Sequence, residues 1–193
     1  MALSLVTGAS AEPITTAEAK LHLRVDHNTE DDYIDSLVKL ARRHVELIGN
    51  LALITQTWDL MMDAWPGRVF PMPLYPLASV VSIKWKDQDG SETTIDSSNY
   101  VVDTASRPGR VALVSDYSWP GDSLYPIGAI AMRFTTGFGL AVDVPEKYKH
   151  AMLLLIAHYY ENREAVHAGV GANVQMLPMG VTSLLADDIR WVS

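Results

Sequence analysis

The sequence predicts an α+β fold: a small helical bundle of N- and C-terminal helices carrying an inserted antiparallel β-domain. Three observations predict it. Apolar residues recur at helical spacing near both ends, over residues 34–48 and again over 148–159. Between 52 and 140 the spacing changes to two, and turn residues interrupt it repeatedly. The length, 193 residues, suits a small core with one sizeable insertion. The expected parts are a flexible leader over 1–13, a helical core over 14–50 plus 144–193, and a β-rich domain over 52–140.

Each element has its own signal. Thr15 and Glu18 stand three apart, as the N-cap and N3 residues of a capping box, and open a short helix to about Val25. Thr29 opens a second helix, with Glu30, Asp31 and Asp32 in the first turn, where the helix dipole favours anions. Ile34, Leu37, Val38, Ala41, Val45 and Ile48 make its apolar stripe, and Gly49 is expected just past its end. Ile54, Gln56, Trp58, Leu60 and Met62 then fall on one face of a strand. Pro66, Pro71, Pro73 and Pro76 keep the next stretch extended or looped. Val81, Ile83 and Trp85 alternate with Ser82, Lys84 and Lys86, and Asp87–Gly90 turns the chain into a return strand over Ser91–Ile95. Tyr100–Asp103, Arg110–Val114 and Ala129–Thr135 read as further strands. Pro145 opens a helix with the stripe Tyr148, Ala151, Met152, Leu155 and Tyr159. A mobile loop is expected over 167–178, then a short helix over about 182–191.

Composition excludes several classes of chemistry. With no Cys there is no disulfide framework, thiol nucleophile or Cys-based zinc site. No apolar run approaches the roughly 18–20 residues of a membrane span, and Met1–Ser10 does not read as a secretory signal. Net charge is −8, from 15 basic and 23 acidic residues, with no basic cluster beyond Arg42–Arg43. Tight sequence-independent DNA binding needs many cationic phosphate contacts, so the chain is a poor DNA clamp.

Catalytic motifs are equally sparse. Val6–Ser10 imitates a glycine-rich nucleotide loop but lacks its further glycines and its βαβ setting. The six histidines make no H-x-x-x-H pair. The acidic cluster Glu30–Asp35 is explained by helix-start electrostatics. Asp87–Gly90 lacks the distal ligands of a calcium loop and reads as a hairpin turn. No G-x-S-x-G elbow occurs. No cofactor or metal is expected. A hydrolase with its site in the β-domain would draw on Asp87, Asp89, Asp116 and His158. Trp58 and Trp85 suit the β-domain core. Trp65 and Trp119 lie in loops and Trp191 in the terminal segment, where aromatic residues also serve interfaces.

Three blocks, in this order and spacing, resemble one family. The first is Ile14–Asp26 (ITTAEAKLHLRVD), followed by Glu30-Asp31-Asp32 and a helix. The second is Ile54-Thr55-Gln56-Thr57-Trp58, with Pro73, Pro76 and Ser79-Val80 beyond it. The third is Phe134–Gly139, Val144-Pro145 and the helix running through Ala157–Ala165. Together they are similar to the head–tail connector (adaptor, or head-completion) proteins of tailed bacteriophages, over residues 14–190.

The resemblance implies a non-enzymatic virion protein, located in the neck and assembled in the host bacterial cytoplasm. It implies a ring of about a dozen copies beneath the portal protein, with a stopper or tail-terminator protein on the other side. DNA would pass through without specific binding, and no membrane is involved. On this reading Leu184, Leu185, Ile189, Arg190 and Trp191 are expected to dock the portal, and Arg42, Arg43, Glu161 and Arg163 to meet neighbouring subunits. A stopper or tail-completion protein is the alternative within the neck. Compact members of the family are only a helical bundle, so the β-rich segment 52–140 departs from the minimal pattern.

Overall fold

Helix termini define where the helical elements begin and end in the computed structural model, which describes residues 1–121, 123–163 and 179–189. At the first helix, α1 (Thr16–Leu23), the predicted capping box is closed. The Thr15 hydroxyl accepts the Glu18 amide at 3.1 Å, and the Glu18 carboxylate accepts the Thr15 amide at 2.6 Å. The second helix, α2 (Asp31–Gly49), buries Ile34, Leu37, Val38, Ala41 and Val45, as the stripe predicts, and leaves Ile48 half-buried. Its left-handed cap is Asn50, at φ 45°, rather than Gly49. Gly49 is small for another reason: a Cβ there would stand 2.5 Å from Leu51 Cδ2.

The third helix, α3 (Glu146–Glu161), buries Tyr148, Ala151, Met152, Leu155 and Ile156 and packs on α2. Two short helices, α4 (Met179–Leu184) and α5 (Ala186–Ile189), pack on α3 and α2. They start earlier than the sequence suggests and break at Leu185. Val181, Leu185 and Asp188 are fully buried. The Asp188 carboxylate accepts from Lys147 Nζ at 3.0 and 3.1 Å and from the Tyr148 hydroxyl at 3.0 Å. A buried charge is tolerated only when so paired.

All strand pairing is antiparallel. Among the described residues the strands are β1 (Ala2–Thr7), β2 (Gln56–Met62), β3 (Val69–Pro71), β4 (Leu77–Lys86), β5 (Glu92–Ile95), β6 (Tyr100–Asp103), β7 (Arg110–Leu113) and β8 (Ile130–Thr136). One sheet has the order β1-β2-β8-β4-β5 and the other β3-β7-β6. Period-two alternation puts Leu60, Met62, Ile83, Met132 and Phe134 inside, with Phe70, Met72, Val111 and Leu113 in the same core.

Two expectations need correction. Residues 1–7 are not a flexible leader: Ala2–Thr7 pairs with β2, Leu3 opposite Leu60 and Leu5 opposite Trp58. A strand so short is stable only beside a template, and that template lies some 50 residues away in sequence. The β-segment also begins later than 52. Leu51–Ile54 are buried, and Ile54 belongs with the helices. The chain forms two compact units, Met1–Ser10 with Thr55–Phe138, and Ala11–Ile54 with Gly139–Ser193. The backbone therefore passes between the two units three times.

Phe134 has no exposed surface, so Phe134→Ala leaves a cavity at the centre of the larger sheet. The expected loss is about 3–5 kcal/mol, read by urea denaturation of the full chain.

Candidate functional site

The four residues expected at subunit contacts separate into two kinds. Arg42 is engaged within its own unit. Its Nε donates to Glu12 at 2.7 Å and its Nη1 to Glu46 at 2.9 Å, and only 12% of the side chain is exposed. The second oxygen of Glu46 accepts the Leu53 amide at 3.0 Å, so this network ties α2 to the segment that follows it. Arg163 lies over the Tyr33 ring at 4.6 Å and donates to Glu30 at 2.6 Å. The Tyr160 hydroxyl donates to the other oxygen of Glu30. Arg42 thus ties α2 to Glu12 and to the segment that follows the helix, and Arg163, although 52% of its side chain is exposed, is engaged at the start of α2 and just past the end of α3. Arg43 and Glu161 are exposed. Arg43 stands between Leu40 and Leu47, which are 47% and 76% exposed on the same face of α2. That apolar pair was readable in the sequence as two leucines off the buried stripe.

The expected portal residues are also divided. Leu185 is fully buried, so it anchors the terminal helices and is not an exposed docking residue. It shares its face with Val181 and Asp188, at four- and three-residue spacing, and burial of that face is what holds α4 and α5 down. Leu184 is half-buried, and Ile189 ends α5. Arg190, Trp191 and the loop expected at 167–178 lie outside the described residues. Sequence reading missed Asp188 and Lys147 altogether, because nothing in a lone aspartate predicts burial.

The candidate hydrolase residues do not form a catalytic group. Asp87 accepts the amides of Asp89 and Ser91 at 3.0 and 2.9 Å, the work of a turn residue. Asp87, Asp89 and Asp116 belong to the β-unit and His158 to α3 of the helical unit. Among the described residues no three His, Asp or Glu side chains converge as a metal site. A cavity of about 230 Å³ opens on the outer face of the larger sheet. Four of its charges are paired: Arg133 grips Asp59 with two bonds of 2.8 Å, and Lys84 donates to Glu92 at 2.7 Å, while Lys86 also lines the cavity. Trp65 and Trp119 stack at 4.6 Å and pack against the β-core beside Trp85. They are largely occupied within the unit.

Glu30 and His44 are among the groups that couple the helical unit to pH. Hydrogen bonds from Tyr160 and then Arg163 hold the Glu30 carboxyl below its ordinary 4.5. Burial holds His44, which shares a hydrogen bond with Tyr159, below its ordinary 6.5. Both shifts have the same sign: the unfolded chain binds more protons. Stability is therefore fully present above pH 6.5 and declines as pH falls, first through His44 and then below 4.5 through Glu30. Melting temperatures from pH 7.5 to 3.5 check this. The Glu30→Gln variant should lower the melting temperature at neutral pH and flatten its fall below pH 4.5.

No protein-family model matches the chain, and no curated protein is significantly similar to it. Solved structures do match. A chain in the neck of a native gene transfer agent (GTA) particle, computed with C12 symmetry, is 27% identical with a TM-score of 0.77, over 99% of this chain and 94% of that one. A chain in the neck of the empty GTA particle, computed with C6 symmetry, is 28% identical with a TM-score of 0.76, over 99% and 95%. A chain in the virion of the native particle is 28% identical with a TM-score of 0.77, again over 99% and 95%. The likeness takes in the segments of both units, so this chain shares its α+β fold, nearly end to end, with chains of gene transfer agent particles.

Proposed function

We propose that this chain is a structural protein of a phage-like virion neck, and within it the adaptor that forms a ring beneath the portal. The observation that carries the reading is the likeness along nearly the full length of both chains to chains of necks computed with C12 and C6 symmetry. Cyclic symmetry supports self-association into a closed ring. The adaptor position draws its support from the three sequence blocks shared with connector proteins. The acidic balance supports a channel through which DNA moves, since a lining without clustered cations gives phosphates no grip.

On this reading the ring is the working unit. Arg43 and Glu161, exposed and of opposite sign, contribute to contacts between copies. Arg42 and Arg163 hold the helices that present them. The portal contact falls to Leu184 and the residues from Ile189 to Trp191, with Leu185 as their internal anchor. A stopper or tail-terminator protein meets the opposite side.

The test is co-sedimentation with portal rings. One copy should bind per portal subunit at saturation. Trp191→Ala, which leaves Leu185 and Asp188 in place, should weaken binding about tenfold or more, as loss of an aromatic hot spot does. No binding of the wild-type chain in excess overturns the adaptor assignment. Undiminished binding by the variant overturns the terminal contact alone.

A further inference from the structure

The first strand of the larger sheet is an unprotected edge. β1 pairs with β2 on one side only, and all six of its residues are exposed. In an antiparallel strand successive amides point alternately to either side, so about three of the six face away from the sheet. Leu3, Leu5 and Val6 are 40%, 50% and 43% exposed. Leu3 and Leu5 stand opposite Leu60 and Trp58, so the buried face of the sheet runs out uncovered onto this strand. Edge strands are ordinarily guarded by charge or proline. Residues 1–10 contain neither. The register shift lies past Leu5, toward Thr7.

Charge selects the occupant. The chain carries a net −8, so two copies repel over most of their surfaces. All 15 basic and 23 acidic side chains lie beyond residue 10. β1 is therefore a stretch along which two like-charged copies meet without opposed charges. We propose that β1 is a contact between copies: its open edge pairs with an extended backbone segment of the next copy, which also covers Leu3 and Leu5. The inference rests on the ring reading above.

A cyclic contact joins unlike patches, so β1 does not meet β1. It does not meet β5 either. Neighbouring strands rotate by about 20–25° each, so β5, four strands away, is turned by roughly 80–100° from β1. A continuous belt of sheet cannot close a ring under that rotation.

The experiment compares Leu3→Lys/Leu5→Lys with Val69→Lys/Val101→Lys. The control adds the same charge to the outer strands of the other sheet, at residues 57% and 58% exposed. Assembly is measured by sedimentation velocity, alone and on portal rings, and amide hydrogen exchange of residues 2–7 is compared between monomer and assembly. The expected result is assembly weakened at least tenfold by the β1 variant and unaffected in the control, with exchange in β1 at least tenfold slower in wild-type assemblies. Assembly of the β1 variant at wild-type strength overturns this inference and leaves the ring intact. Equal loss in both variants also overturns it, because added charge alone then accounts for the effect. If the β1 variant loses its native circular dichroism, the wild-type exchange decides: slower exchange supports the contact, and unchanged exchange overturns it. A wild-type chain that never assembles overturns the ring reading and this inference with it.

Discussion

The packing of α2 on α3 is the constraint on which the helical unit depends. Neither helix buries its stripe alone, and about 95 residues separate the end of one from the start of the other. Ile54 and Gly139 are where the chain leaves and rejoins this unit between the two helices. The larger segment of the β-unit, Thr55–Phe138, lies between them in sequence. Its central strands β2 and β8 are the first and last long strands of that excursion, and they pair with each other along their whole length.

Buried polarity secures the periphery of the same unit. Asp188 is a full charge with no exposed surface, and it faces Lys147 and Tyr148 on α3. Replacing such a pair with apolar residues is often neutral for stability, so geometry is the better account of its presence. It sets where α5 sits along α3 to within a hydrogen-bond length. Arg42 does similar work on α2, through Glu12 and Glu46. These side chains read in sequence as surface charge, and the structure makes them fasteners.

Legibility in the sequence followed the range of the interaction. The Thr15–Glu18 capping box, the α2 stripe and the period-two face of β2 are local patterns; the first stands as read, and the other two do so except for Ile48, which is half-buried, and Ile54, which precedes the strand. Strand β1 was hidden because its stability comes from β2, far along the chain. Gly49 differs in kind: the left-handed cap falls one residue later, on Asn50, and the side chain that crowds Gly49 is that of Leu51, two residues on. Leu185 carried an apolar signal that fits a core and a docking site equally, and only burial separates them. Arg43 and Arg42 are adjacent and chemically identical, yet one faces solvent and the other two carboxylates.

The three passages of the backbone between units have a consequence for biosynthesis. The uncharged strand β1 is made first, but β2 emerges about 50 residues later and β8 only at residues 130–136. The helical unit waits longer still, for α3 at 146–161. At translation rates of about 5–20 residues per second, an apolar N-terminal segment remains unpaired for several seconds. Neither unit exists as a contiguous piece of chain. A nascent polypeptide stopped anywhere before α3 contains no complete helical unit, whereas one that has passed Phe138 already holds every segment of the β-unit.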